Sequence, residues 1–119
     1  MLLSISELTR RYADGTLTPN DVLDQCLDAI DTLDPVVGAW QAVYSEEARA
    51  VAQAATDAIA DGAQKGPFHG IPFALKDIVD VEGKLTPAGC AEWVDRKSPT
   101  TASIAQRLIN AGGILVGKT

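Results

Sequence analysis

The 119 residues are enough for one modest domain and too few for two. At 46% hydrophobic and 22% charged the composition is that of an ordinary globular chain, which argues against disorder. Ten Lys+Arg against sixteen Asp+Glu leave a formal net charge of −6, so nucleic acid and anionic lipid find no charge to hold, and direct polyanion binding is disfavoured.

The start, Met1 to Leu8, has no basic region and no sustained apolar run, so it reads as neither a secretory signal nor a membrane span. Cys26 and Cys90 stand alone, and with His69 as the single histidine no His/Cys metal site can be assembled. A reduced, cytoplasmic setting is the default expectation, with Cys26 acting as a small hydrophobe on a helix face.

In chain order, Ser4-x-x-Glu7 reads as a capping box and Gly15 as a stop. Thr18-Pro19 opens a second helix, in which Val22, Leu23, Cys26, Leu27, Ile30 and Leu33 recur at helical spacing until Pro35 is expected to end it. Gly38 to Tyr44 suggests a short strand. Ser45-Glu46-Glu47 is expected to cap a third, alanine-rich helix carrying Val51, Ala52, Ala55 and Ile59 on one side, with Gly62 near its end. The pattern then changes to a Gly/Pro loop, Lys65 to Gly70, and a short apolar run, Ile71 to Leu75. Proline cannot donate to a ladder, so Pro72 must begin that strand or lie on an edge. Asp77 to Ser98 reads as mostly irregular. Ser98-Pro99 is expected to start a further helix with Ile104, Ala105, Leu108 and Ile109 apolar, followed by Gly112-Gly113 and a second buried strand, Ile114 to Val116. Strand, helix and strand make one βαβ crossover with parallel strands in one sheet. Two parallel strands cannot form a stable sheet alone, so the chain is expected to hold the entry to an α/β sheet and to lack the rest.

The chemistry concentrates around Lys76, which directly follows the first of these two strands. Ligand crevices of open α/β sheets form at such carboxyl ends. A lysine there can lose hydration, which disfavours its charged form and suits it to general-base work. The plainer alternative is a solvated strand-end lysine paired with Asp77 or Asp80.

Three blocks go further: Gly66-Pro-x-His-Gly-Ile-Pro-x-x-x-Lys-Asp-x-x-Asp80, Thr86-Pro-Ala-Gly89, and Leu108-x-x-Ala-Gly-x-x-x-x-Gly-Lys-Thr119. Together they resemble the amidase signature family, closely from Gly66 to Thr119 and more loosely upstream. The resemblance implies an α/β fold, a mixed sheet between helical layers. Residues 1–119 would be the N-terminal part of a single amidase domain, with 1–64 a helical lead-in and 65–119 the start of the α/β core. It implies a Ser–cis-Ser–Lys triad in which Lys76 is the catalytic lysine. The two serines belong to a later Gly/Ser-rich segment of a type these residues do not contain. Ser4, Ser6, Ser45, Ser98 and Ser103 read instead as residues of helix starts and helices, and Cys90 stands where many relatives place serine.

The full-length protein is thus expected to hydrolyse amides as a serine–lysine amidase, with the chain by itself inactive. The expected partner is a small-molecule amide, without cofactor, metal, direct nucleic-acid contact or membrane, and with a homodimer or accessory-subunit role open. Substrate-binding residues are not assigned. The glutaminase component of a tRNA-dependent amidotransferase and a truncated, non-catalytic partner-binding module are the alternatives. Gly112 to Thr119 also spells the P-loop pattern. A true P-loop follows a strand and opens a helix, whereas here the middle residues are themselves the strand. His69 reads as a turn-stabilising residue, and Trp40 and Trp93 as core or loop anchors.

With an open sheet edge and unmatched apolar faces, the isolated 119-residue chain should be aggregation-prone or partly molten. A monomer with sharp, cooperative unfolding would contradict this.

Overall fold

The computed structural model describes residues 3–119; Met1 and Leu2, part of the start read above for a signal segment, lie outside the described residues. Helix α1, Ile5–Ala13, is capped by Ser4, whose Oγ accepts the Glu7 N–H at 3.1 Å. Only half of the expected capping box forms, because the Glu7 carboxylate turns outward to Arg10 (2.7 Å) and Arg11 (2.9 Å). Gly15, at φ 71°, follows the helix as expected.

Helix α2, Pro19–Val37, has the complete box. Asp21 N–H donates to Thr18 Oγ1, and the Thr18 N–H donates to the Asp21 carboxylate at 2.8 Å. Contrary to expectation, Pro35 lies inside this helix. It forfeits one helical bond, but the helix ends two residues later at Val37, capped by Gly38 in the left-handed region (φ 64°), whose N–H reaches Asp34 O at 2.8 Å. The Asp34 side chain then accepts the Ala39 and Trp40 N–H groups, so the exit from α2 is satisfied without Pro35 having to stop it.

The expected strand within Gly38 to Tyr44 is β1, Ala42–Val43. Helix α3, Ser45–Ala60, follows directly, and here the capping expectation fails. Ser45 is the first helical residue, and Tyr44 precedes it without a side-chain cap. Glu46 and Glu47 in the first turn complement the helix dipole instead. Ala48, Ala52 and Ala55 form the buried face of α3, while Val51 is exposed. Small residues let α3 lie close to α2 and the sheet, and Ala48, Ala52, Leu23, Leu27, Ile114 and Val116 make one core cluster with Ile30 and Trp40 against it.

The two expected strands are β2, Pro72–Leu75, and β3, Ile114–Lys118, and they pair in parallel. The sheet order is β1-β3-β2, with β1 antiparallel to β3, so the sheet is mixed and β2 is an edge. Pro72 is the first residue of that edge strand, where its missing donor costs no ladder bond. Between the strands runs α4, Ser103–Asn110, which starts after Ala102 rather than at Ser98-Pro99. Its buried contact is Ala105, joining Leu75 and Val81, while Ile104 and Ile109 remain exposed.

The parallel ladder is irregular. Pro72 pairs with Ile114 and Phe73 with Leu115, but Ala74 pairs with Gly117 and Leu75 with Lys118, leaving Val116 as an extra residue on β3. Strict alternation would put Lys118 on the face of Ile114 and Val116, toward α2 and α3. The bulge turns it instead to the face of Phe73 and Leu75.

Apolar surface is left along the free side of β2. A groove of about 540 Å³ there is lined by residues including Leu8, Val22, Cys26, Phe68, Ile71 and Phe73. Among the described residues no helix is long and apolar enough to cross a membrane.

At Gly117 any Cβ would run into the main chain of β1, against the Ala42 carbonyl and Val43 Cα. Backbone cannot step aside as a side chain can, so Gly117→Ala should loosen the β1–β3 pairing and destabilise the protein by about 1–3 kcal/mol. Thermal unfolding of the variant measures this, and an unchanged Tm would remove the close approach as a constraint.

Candidate active site

Lys76 leaves the carboxyl end of β2, where the sequence placed it. Its side chain is exposed, and its Nζ donates to the main-chain oxygen of Thr119 at 2.8 Å. That oxygen also accepts the Asp77 N–H at 2.8 Å, while the Thr119 N–H donates to Leu75 O at 2.8 Å. The end of β3 therefore holds Lys76 through one carbonyl that is itself fixed by neighbouring main-chain bonds. The alternative pairing of Lys76 with Asp77 or Asp80 is not made. Asp77 is buried, and Asp80 is taken by another cation. The desolvation expected of Lys76 is not supplied by the packing of these residues.

The buried lysine is the other one. Lys118 is fully enclosed, with Nζ donating to Leu85 O at 2.8 Å and to Thr86 Oγ1 at 2.6 Å. The chain of contacts continues through Ser98, whose Oγ lies 2.8 Å from Thr86 Oγ1 and donates to Asp80 Oδ1 at 2.7 Å. Since the single Ser98 hydroxyl proton goes to Asp80, the Thr86 hydroxyl is the donor to Ser98. The bonds therefore run in one direction: ammonium to threonine, threonine to serine, serine to carboxylate. At the far end Arg96 closes on Asp80 with both of its terminal nitrogens, at 2.9 and 3.0 Å, the bidentate geometry that gives the strongest carboxylate pairing.

Two electrostatic consequences follow. Burial pushes the Lys118 ammonium below its ordinary pKa, and the charges of Asp77 and Asp80 oppose that shift. Asp80 is held well below the usual carboxylate range, chiefly by Arg96 and then by Ser98.

One expectation is corrected here. Ser98 is not a helix cap but a buried link in this network, 2% exposed. Lys118, which the sequence offers only as the lysine of a false P-loop, has its ammonium engaged by Leu85 and Thr86 and cannot turn outward to phosphate. The two glycines at the start of that motif have packing duties. A Cβ on Gly112 would meet His69, and one on Gly113 would meet the Phe68 ring. His69 itself is buried, its Nδ1 accepting the Lys65 N–H at 3.0 Å, which is the turn-stabilising bond expected of it. Burial, and secondarily Lys65, lower its pKa.

Sequence reasoning missed Asp80, Thr86, Arg96, Ser98 and Lys118 as a group. The available signal was that the first four stand close together in an otherwise irregular stretch. Nothing local told which of them face inward. Trp93 is half-exposed under the Arg96 guanidinium, 5.4 Å from its ring centre, and Trp40 packs on the core. A second cleft of about 320 Å³, lined by residues including Val51, Ala55, Ile109 and Leu115, and the groove along β2 both lie apart from Lys76. Among the described residues no group of three or more His, Cys, Asp or Glu gathers as a metal would require.

Fold and site together define a mixed α/β unit whose parallel edge strand delivers a tethered lysine to its carboxyl end. The sequence profile described as Amidase matches residues 21–119, and the chain belongs to that family. It is 32% identical over 116 residues to a component of the glutamyl-tRNA(Gln) amidotransferase of Chloroflexus aurantiacus, covering 98% of this chain and 24% of that protein. It is 33% identical over 118 residues to an amidase of Pseudomonas putida, covering 98% and 25%. Among solved structures, the native peptide amidase of Stenotrophomonas maltophilia superposes with a TM-score of 0.89 at 29% identity, again over 98% of this chain and 24% of that one. The chain thus spans about a quarter of the length of the relatives it matches.

The site predicts its own acid sensitivity. His69 and Asp80 both have folded pKa values below their unfolded ones, so each contributes stability that is complete above the unfolded value and lost as pH falls through the folded one. Stability should therefore decline in two stages, first below about pH 6.5 and again below about pH 4. Denaturant melts against pH would read both stages, and Asp80→Asn should shrink the second, to which Glu7, Asp14 and Glu47 also contribute, while leaving the first in place.

Proposed function

We propose that the protein containing this chain hydrolyses amide bonds, with Lys76 as the proton shuttle of a serine–lysine mechanism. The observation that carries the reading is the tethering of Lys76 Nζ on the Thr119 carbonyl at the end of a parallel strand, in a chain of the amidase family. A proton shuttle must present one amine at one place, and this carbonyl holds it there. In its neutral form the Lys76 amine takes a proton, through a bridging serine, from a nucleophilic serine that attacks the amide carbonyl. The resulting ammonium returns the proton to the departing amine, and water releases the acid from the acyl-enzyme.

The serines here are otherwise engaged or placed. Ser4 caps α1 and Ser98 is bonded to Asp80, while Ser6, Ser45 and Ser103 are helical residues. We assign the nucleophile and its bridge to sequence outside these 119 residues, which would also cover the exposed Lys76 and exclude water from it. On this reading the 119 residues alone are inactive, 1–64 lead into the domain, and 65–119 begin its catalytic core. The setting is cytoplasmic, in keeping with two free cysteines, and the substrate is a linear amide. A second reading, glutamine as the amide within an amidotransferase, draws on the similarity to the Chloroflexus protein. Such a component would work beside partner chains. Ammonia release from glutamine, measured against release from simple amides, separates the two.

The test is turnover of an amide by the full-length protein against pH, with folding followed by circular dichroism. Lys76→Ala should lower kcat by roughly 10²–10⁴-fold, as loss of a general base does. Lys76→Arg should fail as well, because guanidinium stays protonated and cannot accept the serine proton. Near-wild-type kcat in folded Lys76→Ala would remove the lysine from the mechanism.

A further inference from the structure

The network beneath the site has no assigned role, and its geometry ties it to Lys76. Lys118 and Thr119 are consecutive, and so are Leu75 and Lys76. Leu75 pairs with Lys118 across the ladder, and the Thr119 N–H donates to Leu75 O at 2.8 Å. The carbonyl that receives Lys76 is therefore one residue beyond a buried side chain held by two hydrogen bonds. Lys118 is anchored at Leu85 and Thr86, and through Ser98 to the Asp80–Arg96 pair. Asp80 in turn belongs to the loop that leaves Lys76, and its own carbonyl accepts the Ala102 N–H at 2.9 Å. The two segments that flank the lysine, one on each side, are thus joined by a buried ammonium in addition to the main-chain bonds of Thr119 with Leu75 and Asp77.

We propose that Lys118 is a positioning residue for Lys76: its ammonium, held by Leu85 O, Thr86 Oγ1 and the Ser98–Asp80–Arg96 chain behind them, fixes the Thr119 carbonyl that aims the Lys76 amine. The proposal rests on the assignment of Lys76 made above. Lys118 touches no reacting atom. It acts by removing freedom from the strand end, and in the low-dielectric interior its bonds are stronger than the same bonds in water. A cation is suited to this role because three N–H donors on one unbranched stem can satisfy a main-chain carbonyl and a hydroxyl at once. By sequence alone, as the lysine of a false P-loop, Lys118 would be replaceable with little loss of activity. Its buried anchorage predicts the opposite.

The experiment is a double-mutant cycle in the full-length protein, reading kcat and KM on one amide. Lys118→Met keeps the unbranched stem as far as Cε and removes the ammonium with its donors and charge. It should lower kcat by about tenfold or more, up to the ~10²-fold that a misplacement of about 1 Å costs, with KM nearly unchanged. In the Lys76→Ala background the same substitution should change kcat by less than about twofold, since there is no longer an amine to aim. A residue that only stabilises the fold would lower Tm while leaving kcat of the folded fraction alone, or would lower kcat equally in both backgrounds. Either result overturns the proposal. Full activity in Lys76→Ala by itself would instead overturn the assignment of Lys76, so the two failures are told apart.

If Lys118→Met does not fold, Thr86 carries the same test. Thr86→Val keeps the shape but removes the acceptor, and should lower kcat selectively. Thr86→Ser restores the hydroxyl and should recover it. Equal activity in these two variants would overturn the proposal.

Discussion

The parallel pairing of β2 with β3 is the constraint on which the site depends. It brings residues more than forty positions apart into one ladder and places Lys76 and Thr119 side by side at the same end. Without it the lysine would be one more solvated cation on a loop. The extra residue in β3 matters as much as the pairing. By skipping Val116, the ladder moves Lys118 from the apolar face packed against α2 and α3 to the face of Leu75, where Thr86 receives its ammonium.

Burying an ammonium is costly, several kcal/mol even after relaxation, unless hydrogen bonds and opposite charge compensate. Here the compensation is arranged in series. Leu85 and Thr86 accept directly, Thr86 donates toward Ser98, Ser98 toward Asp80, and Arg96 holds Asp80 from the other side. Each hydroxyl both accepts and donates, so none is left half-satisfied. The irregular stretch from Asp80 to Thr101 is held by this chain and by main-chain bonds such as Thr86 N–H to Arg96 O, Ser98 N–H to Lys84 O and Gly83 N–H to Ser98 O. It has little regular structure and yet a fixed shape.

The opposite face of the sheet is organised by size rather than charge. Ala48 and Ala52 allow α3 to close on Ile114 and Val116, and Gly117 allows the short β1 to reach β3. The segment between α2 and α3 thereby supplies a strand to the same sheet that carries the lysine. The apolar groove beside β2 and the exposed faces of Ile104 and Ile109 are the places where this close packing stops.

The features legible before folding are those that local physics writes. Apolar periodicity located α2 and α3, the short apolar runs located β2 and β3 and their parallel sense, and Pro72 announced an edge. The motif around Lys76 identified the family and the strand-end lysine, because spacing along one segment is enough to write such a motif. Local signals misled where two of them competed: Pro35 against the stronger Gly38 cap, Ser45 against Tyr44, Ser98-Pro99 against a helix that begins at Ser103. Which lysine is buried emerges only in the folded chain. Lys76 and Lys118 both follow apolar runs, and no local rule tells them apart. Lys118 lies within β3, paired with strands on both sides, whereas Lys76 stands beyond the end of β2, and one skipped residue in the ladder sets which buried face receives Lys118. Partners brought in from residues 80 to 98 then stabilise that burial, and they meet only because the chain has folded back on itself.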